Sequence, residues 1–154
     1  MDKYKQIELA IRIAKADICK LKNYSDLAGF EVMIYTDDEL KELGEESGDW
    51  VGQYVKGSVD DPRGCTILIN IDKHADLGEM RDTLCHEVGH ALWELIDENA
   101  RSVWLEMYLG NTTSNKVLTQ RDAEEEFADH FMYAVLGASH LMDFPRLFKE
   151  ITKK

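Results

Sequence analysis

Residues 83–93 read TLCHEVGHALW and contain one complete H-E-x-x-H pattern. Around the pattern, apolar residues recur at helical spacing and form one stripe, made of Leu84, Val88, Ala91, Leu92 and Leu95. His86 and His90 are four residues apart, so a helix places both imidazoles on the face away from that stripe. Two such imidazoles can bind one metal ion, and the pattern is typical of zinc sites. Glu87 is turned about 100° away by the helix period and is better placed to hold water.

Gly89 lies inside this predicted helix, between the two histidines. A glycine there costs about 1 kcal/mol relative to alanine. Its presence predicts that another backbone or a substrate approaches the helix closely at this point.

Composition and charge restrict the class of protein. A chain of 154 residues without a linker or repeat predicts one domain spanning residues 1–154. The three cysteines Cys19, Cys65 and Cys85 show no C-x-x-C spacing, which favours reduced thiols, with Cys85 packed in the core. The sequence has neither the apolar core of a signal peptide nor a stretch long enough for a membrane span. We therefore expect a soluble, cytoplasmic protein without a membrane partner.

The formal net charge of -12 bears on possible partners. A surface of this sign repels a nucleic-acid backbone, so direct nucleic-acid binding is not expected. The same acidity leaves one alternative to an enzyme: an acidic, non-catalytic binding protein that keeps the metal-site fold and acts as a DNA mimic or an adaptor.

Periodicity along the chain predicts an α+β fold: a short, twisted, mainly antiparallel sheet packed on the metal-site helix, with further helices at both ends. The predicted elements are an amphipathic helix over 2–22, a strand over 30–35, a short helix capped by Thr36 and running to about 43, strands over 50–56 and 65–71 forming a hairpin, the metal-site helix starting within 75–79, a helix from the Thr119 cap to about 136, and a final helix starting at 143–145. The segment 99–120 has weak periodicity, and residues 110–115 are predicted to form an exposed loop that could cover the cleft.

The H-E-x-x-H helix supplies only two metal ligands, whereas a catalytic zinc site needs three and one open position. The acidic helix downstream offers Glu124, Glu125 and Glu126. Helical phase favours Glu125, because it shares a face with Asp129, which could accept the second ring N–H of His86. Glu124 stays open as the alternative third ligand.

With these residues in place, the chain resembles the gluzincin metallopeptidases of the ImmA/IrrE type over roughly residues 50–136. The resemblance depends on the strand 66–70 (TILIN), the helix 83–90 (TLCHEVGH) and residues 125–131 (EEFADHF), which look like that family's E-x-x-A-[ND]-x-F. Two features of the family are absent here: a helix-turn-helix segment, and the proline that usually follows the second pattern, where Gly137-Ala138-Ser139 stands.

The resemblance implies a small zincin fold that binds Zn²⁺ and hydrolyses a protein or peptide substrate, often a regulatory protein such as a repressor of a phage or mobile element. In such an enzyme Glu87 would be the general base. The group that stabilises the transition state stays open among His140, Tyr133 and Tyr108. The family also suggests that substrate adds a strand to a sheet edge, for which we favour residues 65–71 over residues 50–56.

Overall fold

The computed structural model describes residues 2–44, 51–55, 62–110 and 119–153. Within these ranges the fold is α+β, with six α-helices and one small sheet. The elements are α1 (Lys3–Cys19), β1 (Glu31–Tyr35), α2 (Asp37–Glu42), β2 (Gly52–Val55), β3 (Thr66–Asn70), α3 (Leu77–Leu95), α4 (Glu98–Gly110), α5 (Gln120–Val135) and α6 (Pro145–Ile151).

Helix starts follow the capping residues that the sequence predicts. Thr36 caps α2 by accepting a hydrogen bond from the backbone N–H of Glu39. Thr119 caps α5 in a full capping box, in which the Asp122 carboxylate accepts a hydrogen bond from the Thr119 backbone N–H. Gly137 follows α5 with a φ of 69°, a left-handed conformation that favours glycine. These local signals fix the start of α2 and both ends of α5, the helix that carries Glu124, Glu125 and Asp129.

The sheet has the strand order β1-β3-β2. The predicted pairing of the second and third strands is confirmed, since β2 and β3 are antiparallel. However, β1 pairs with β3 in parallel, so the prediction of a mainly antiparallel sheet is wrong and the sheet is mixed. The choice of residues 65–71 as the substrate-binding edge is also wrong, because β3 is paired on both sides. Ile67 and Ile69 on one face of β3 are fully buried, whereas Thr66 and Leu68 on the other face are partly buried, so β3 is a central strand with one face in the core.

Helix α3 occupies the centre of the fold and packs against α1, α5 and β2. The apolar stripe is buried as predicted at Leu84, Val88, Ala91 and Leu92, whereas Leu95 at the end of α3 is exposed. Cys85 is fully buried and Cys65 nearly so, and the three cysteines are free thiols. With α1 on one side and α5 on the other, α3 is held on both faces, and its histidine face is directed toward α5.

Segment 98–110 forms the helix α4, which the weak periodicity of the sequence does not reveal. Its anchor is Trp104, which is fully buried and donates a hydrogen bond from Nε1 to the carbonyl of Ala123 on α5 at 2.8 Å. Around Trp104 lie the rings of Phe127, His130, Phe144 and Phe148. This aromatic cluster fixes α5 against α4 and α6. Most of the predicted loop at 110–115 lies outside the described residues.

His130 is a core residue within this cluster. Its Nδ1–H donates to the carbonyl of Glu126 at 2.8 Å, and its Nε2 accepts the N–H of Phe144 at 3.0 Å. Both ring nitrogens are therefore used in packing, and burial lowers the pKa of the ring.

None of the described helices is both long enough and apolar enough to cross a membrane.

Candidate metal centre

Helix α3 brings three potential ligands together. Ligand atoms of His86, Glu87 and His90 all lie within 4.8 Å of one another, a group that could hold a metal ion. The two imidazole rings are 5.1 Å apart and nearly perpendicular. The prediction that a spacing of four residues brings both imidazole rings together on one face of the helix is therefore confirmed.

Helix α5 supplies three carboxylates to these two rings. Glu125 contacts both Nε2 atoms, with Oε2 at 2.9 Å from His86 and Oε1 at 3.3 Å from His90. Asp129 lies 2.7 Å from Nδ1 of His86, and Glu124 lies 2.6 Å from Nδ1 of His90. Each ring thus has one nitrogen directed at Glu125 and the other bound to a separate carboxylate.

This arrangement separates Glu125 from its competitor. The predicted contact between Asp129 and His86 is present, and it orients the ring from the side away from Glu125. Glu124 holds His90 in the equivalent way. It lies on Nδ1, so it is not at the point where the two Nε2 atoms meet.

Close packing of two helices makes these contacts possible. A Cβ atom on Gly89 would lie 2.7 Å from Cα and 2.9 Å from the carbonyl oxygen of Ala128. No side chain fits at such distances, so glycine permits the backbones of α3 and α5 to touch. The predicted close approach at Gly89 is thus confirmed, and the approaching group is the backbone of α5. Ala128 lies between Glu125 and Asp129, so this crossing point places both carboxylates.

The electrostatics of the site follow from burial and from these pairs. Burial lowers the pKa of His86, but its hydrogen bonds to Asp129 and Glu125 outweigh burial and raise that pKa to about 10. The same competition, with Glu124 and Glu125 as partners, raises the pKa of His90 to about 9. Hydrogen bonds from the two histidines hold the pKa of Glu125 well below its usual range. A metal ion must therefore displace protons from both rings when it binds.

Glu87 differs from Glu124, Glu125 and Asp129 in that one of its carboxylate oxygens has no hydrogen-bond partner among the described residues. It is 7% exposed, and its Oε2 atom is buried without a hydrogen bond to any residue that the structure describes. Burial raises the pKa of this carboxyl, and the charges of His90 and His86 lower it in part. A buried, unsatisfied carboxylate oxygen is costly in a folded protein, which suggests that it serves a group that binds in the cleft.

Two cavities open beside the histidines. One has a volume of about 410 Å³ and includes His86 in its lining, and the other has a volume of about 190 Å³ and includes His90. Four residues line both cavities: Gly52, Glu87, Arg121 and Glu125. The candidate ligands therefore form the boundary of a cleft that extends to both sides of them.

Among the cleft residues that the sequence predictions of the site do not include, Tyr54 and Arg121 carry the chemically most useful groups. Tyr54 on β2 stacks on the ring of His90, with 6.4 Å between ring centroids, and donates a hydrogen bond from its hydroxyl to Glu94 at 2.8 Å. Arg121 lies one turn before Glu125 on α5. The four-residue spacing from Arg121 to Glu125 could have predicted that both lie on one face of α5. The position of Tyr54 depends on the packing of β2 against α3, which the sequence does not show.

The three candidates for transition-state stabilisation lie apart from the two cavities. His140 is exposed in the short 3₁₀ turn Ser139–Leu141. Tyr108 on α4 packs edge-on against Phe144, at 6.5 Å between ring centroids. Tyr133 follows Asp129 by one turn on α5 and is partly buried. None of the three lines either cavity.

Comparison with protein-family models, curated proteins and solved structures finds no match to this chain. The fold and the possible metal-binding group are therefore established by the chain's own geometry. The ImmA/IrrE resemblance remains a hypothesis based on the sequence.

Proposed function

We propose that this protein is a zinc-dependent endopeptidase. In this proposal His86, His90 and Glu125 hold the zinc ion, and Glu87 is the general base. A short sheet lies beside the H-E-x-x-H helix, and this arrangement supports the zincin fold and activity that the sequence resemblance implies.

The contact of Glu125 with both imidazoles is the observation that carries the proposal. Both Nε2 atoms are directed at one carboxylate, while the two Nδ1 atoms are held from behind by Asp129 and Glu124. Zinc sites typically combine imidazole and carboxylate ligands in this way, with an outer partner on the second nitrogen of each ring. The donor set fits zinc, and a catalytic site would keep a fourth position for water.

The unpaired oxygen of Glu87 provides a second argument. A purely structural zinc site does not require this carboxylate, and it would close with a fourth protein ligand. When bound, zinc polarises a scissile carbonyl and lowers the pKa of water. Glu87 can take a proton from the attacking water and pass it to the amine nitrogen as the C–N bond breaks. Its position at the boundary of both cavities fits that role.

The outer edge of β2 is the candidate binding site for the backbone of the substrate. The backbone N–H of Asn70 donates a hydrogen bond to the carbonyl of Val51. Because residues of an antiparallel strand face their partner strand alternately, the backbone groups of Gly52 and Tyr54 are turned away from β3. No other described strand pairs with that side of β2. An extended peptide could add there as a strand, next to the cleft that Gly52 lines. On the family resemblance, the natural substrate would be an intracellular regulatory protein such as a repressor.

The test combines metal analysis with turnover of a library of quenched-fluorescent peptides. We expect one zinc ion per chain in the wild type, and loss of zinc in His86→Ala and His90→Ala proteins that are shown to be folded by circular dichroism. Glu87→Gln should retain zinc and lose turnover by at least about 100-fold, because the amide cannot accept a proton. Glu126→Gln is the matched control, since it removes a carboxylate from α5 that lines neither cavity.

Three results would contradict the proposal. If both histidine variants hold as much zinc as the wild type, His86 and His90 are not the zinc ligands. If the Glu87→Gln protein cleaves peptide as fast as the wild type, Glu87 is not the general base. Zinc binding without any peptide cleavage in the wild type would favour the alternative, an acidic binding protein that retains the metal site.

A further inference from the structure

Histidines aside, Arg121 is the one cationic side chain among the described residues that line the two cavities. It lies in the first turn of α5 and is exposed. The other charged residues of the two linings, histidines aside, are carboxylates: Asp82, Glu87, Glu124, Glu125 and Asp129.

Arg121 forms no ion pair or hydrogen bond in the part of the chain that the structure describes. The neighbouring carboxylates are engaged elsewhere, because Glu124, Glu125 and Asp129 contact the histidine rings. An arginine has five N–H donors, and those of Arg121 are directed to no acceptor among the residues that the structure describes. Its donors are thus available to a ligand in the cleft.

The position of Arg121 relative to the two cavities specifies which part of a ligand it would meet. His86 lines only the larger cavity and His90 only the smaller one, whereas Arg121 lines both, together with Glu87 and Glu125. A peptide that extends through both cavities must cross these shared residues at the bond next to Glu87. A residue that recognised a distant side chain of the substrate would line one cavity only.

From this placement we propose that Arg121 is a catalytic residue that donates hydrogen bonds to the carbonyl oxygen of the scissile peptide bond as negative charge develops on it. The inference depends on the proposed peptidase function and deepens it, because it replaces His140, Tyr133 and Tyr108 as the transition-state stabiliser. A cationic donor at such an oxygen is worth more in the transition state than in the ground state, because the negative charge it meets develops only there.

Steady-state kinetics with the best-cleaved peptide of the library provide the test. Arg121→Gln should lower kcat by roughly 100-fold, the usual loss for one such donor, and change KM by less than about threefold. Arg121→Lys should restore part of kcat, because it keeps the charge without the planar pair of donors. The control is Arg146→Gln, which removes an arginine charge from α6, remote from the cleft, and should behave like the wild type.

Binding measurements supply a readout that does not depend on turnover. A phosphinic peptide, which mimics the tetrahedral transition state, should bind Arg121→Gln at least about tenfold more weakly than the wild type. The uncleaved substrate peptide, measured on Glu87→Gln and on the double variant with Arg121→Gln, should bind both equally well. Zinc content should be the same in all of these proteins.

Each other outcome overturns the inference in an identifiable way. An unchanged kcat in Arg121→Gln, in an enzyme that loses activity in Glu87→Gln, would refute the role of Arg121 and leave the peptidase proposal standing. A raised KM with kcat unchanged would make Arg121 a ground-state anchor. Loss of zinc would make it a counter-ion of the metal centre. A wild-type protein that neither holds zinc nor cleaves peptide would refute both proposals.

Discussion

Replacing Gly89 by alanine tests the contact on which the geometry of the site depends. The new Cβ would lie 2.7 Å from Cα and 2.9 Å from the carbonyl oxygen of Ala128. Both atoms belong to the backbone of α5 and cannot rotate away. The two helices must therefore separate by about 0.7 Å to reach the ordinary contact distance of 3.4 Å.

Two effects of opposite sign set the change in stability. Alanine is favoured over glycine inside a helix by about 1 kcal/mol. Overpacking of a well-packed interior costs about 1–3 kcal/mol, and the cost is expected at the upper end because backbone atoms are involved. We therefore expect Gly89→Ala to lower the free energy of unfolding by about 1–2 kcal/mol, measured by urea denaturation of the metal-free protein.

The same displacement should weaken metal binding, because Glu125 and Asp129 flank Ala128 on α5. Disturbing the outer partners of ligating histidines typically costs 10- to 100-fold in affinity, so the zinc Kd should rise by at least about tenfold. Gly110→Ala is the matched control. Gly110 ends α4, and a Cβ there would meet nothing within 4 Å, so this variant should be neutral or stabilising. A Gly89→Ala protein as stable as Gly110→Ala, with unchanged zinc affinity, would refute the reasoning.

Three further predictions concern other contacts. Asp129→Asn should weaken zinc binding by roughly 10- to 100-fold while leaving the fold intact, because the charge that orients His86 is lost; equal Kd values in a competition titration would contradict this. Thr119→Ala should cost about 1 kcal/mol in urea denaturation, since it removes the cap and capping box of α5, and a change within error would show that the cap is dispensable. Burial lowers the pKa of His74, whose Nδ1 faces the carbonyl of Asn70 and whose Nε2 faces the hydroxyl of Thr83, each at 2.8 Å. As the pH falls, the His74 ring is therefore protonated in the unfolded chain before it is protonated in the folded protein. The stabilising contribution of His74 is complete above about pH 6.5 and is lost as the pH falls through the folded-state pKa. An NMR titration should give a pKa below about 6.5, and a value above it would contradict the sign.

Local sequence determined most of the helices and strands, and it identified the histidine pair on α3 and the carboxylates on α5. The spacing of His86 and His90 fixes their common helix face, because a helix turn has 3.6 residues wherever it occurs. Thr36 and Thr119 cap their helices through hydrogen bonds to residues three positions away. Helical phase also related Glu125 to Asp129, and glycine at position 89 indicated a close approach. All of these signals act within a few residues along the chain, so they can be read without the fold.

Tertiary packing decided what no local signal encodes. The parallel pairing of β1 with β3 joins residues 35 positions apart, and it converts the strand favoured as a free edge into the centre of the sheet. Helix α4 forms although its periodicity is weak, since Trp104 gains a buried aromatic cluster from α5 and α6. Glu125 contacts the Nε2 atoms of both histidines, whereas Glu124 contacts Nδ1 of His90. Which carboxylate takes which position depends on the rotation of α5 about its contact with Gly89. That rotation is set by the fit of two helix surfaces, which only the folded chain brings together.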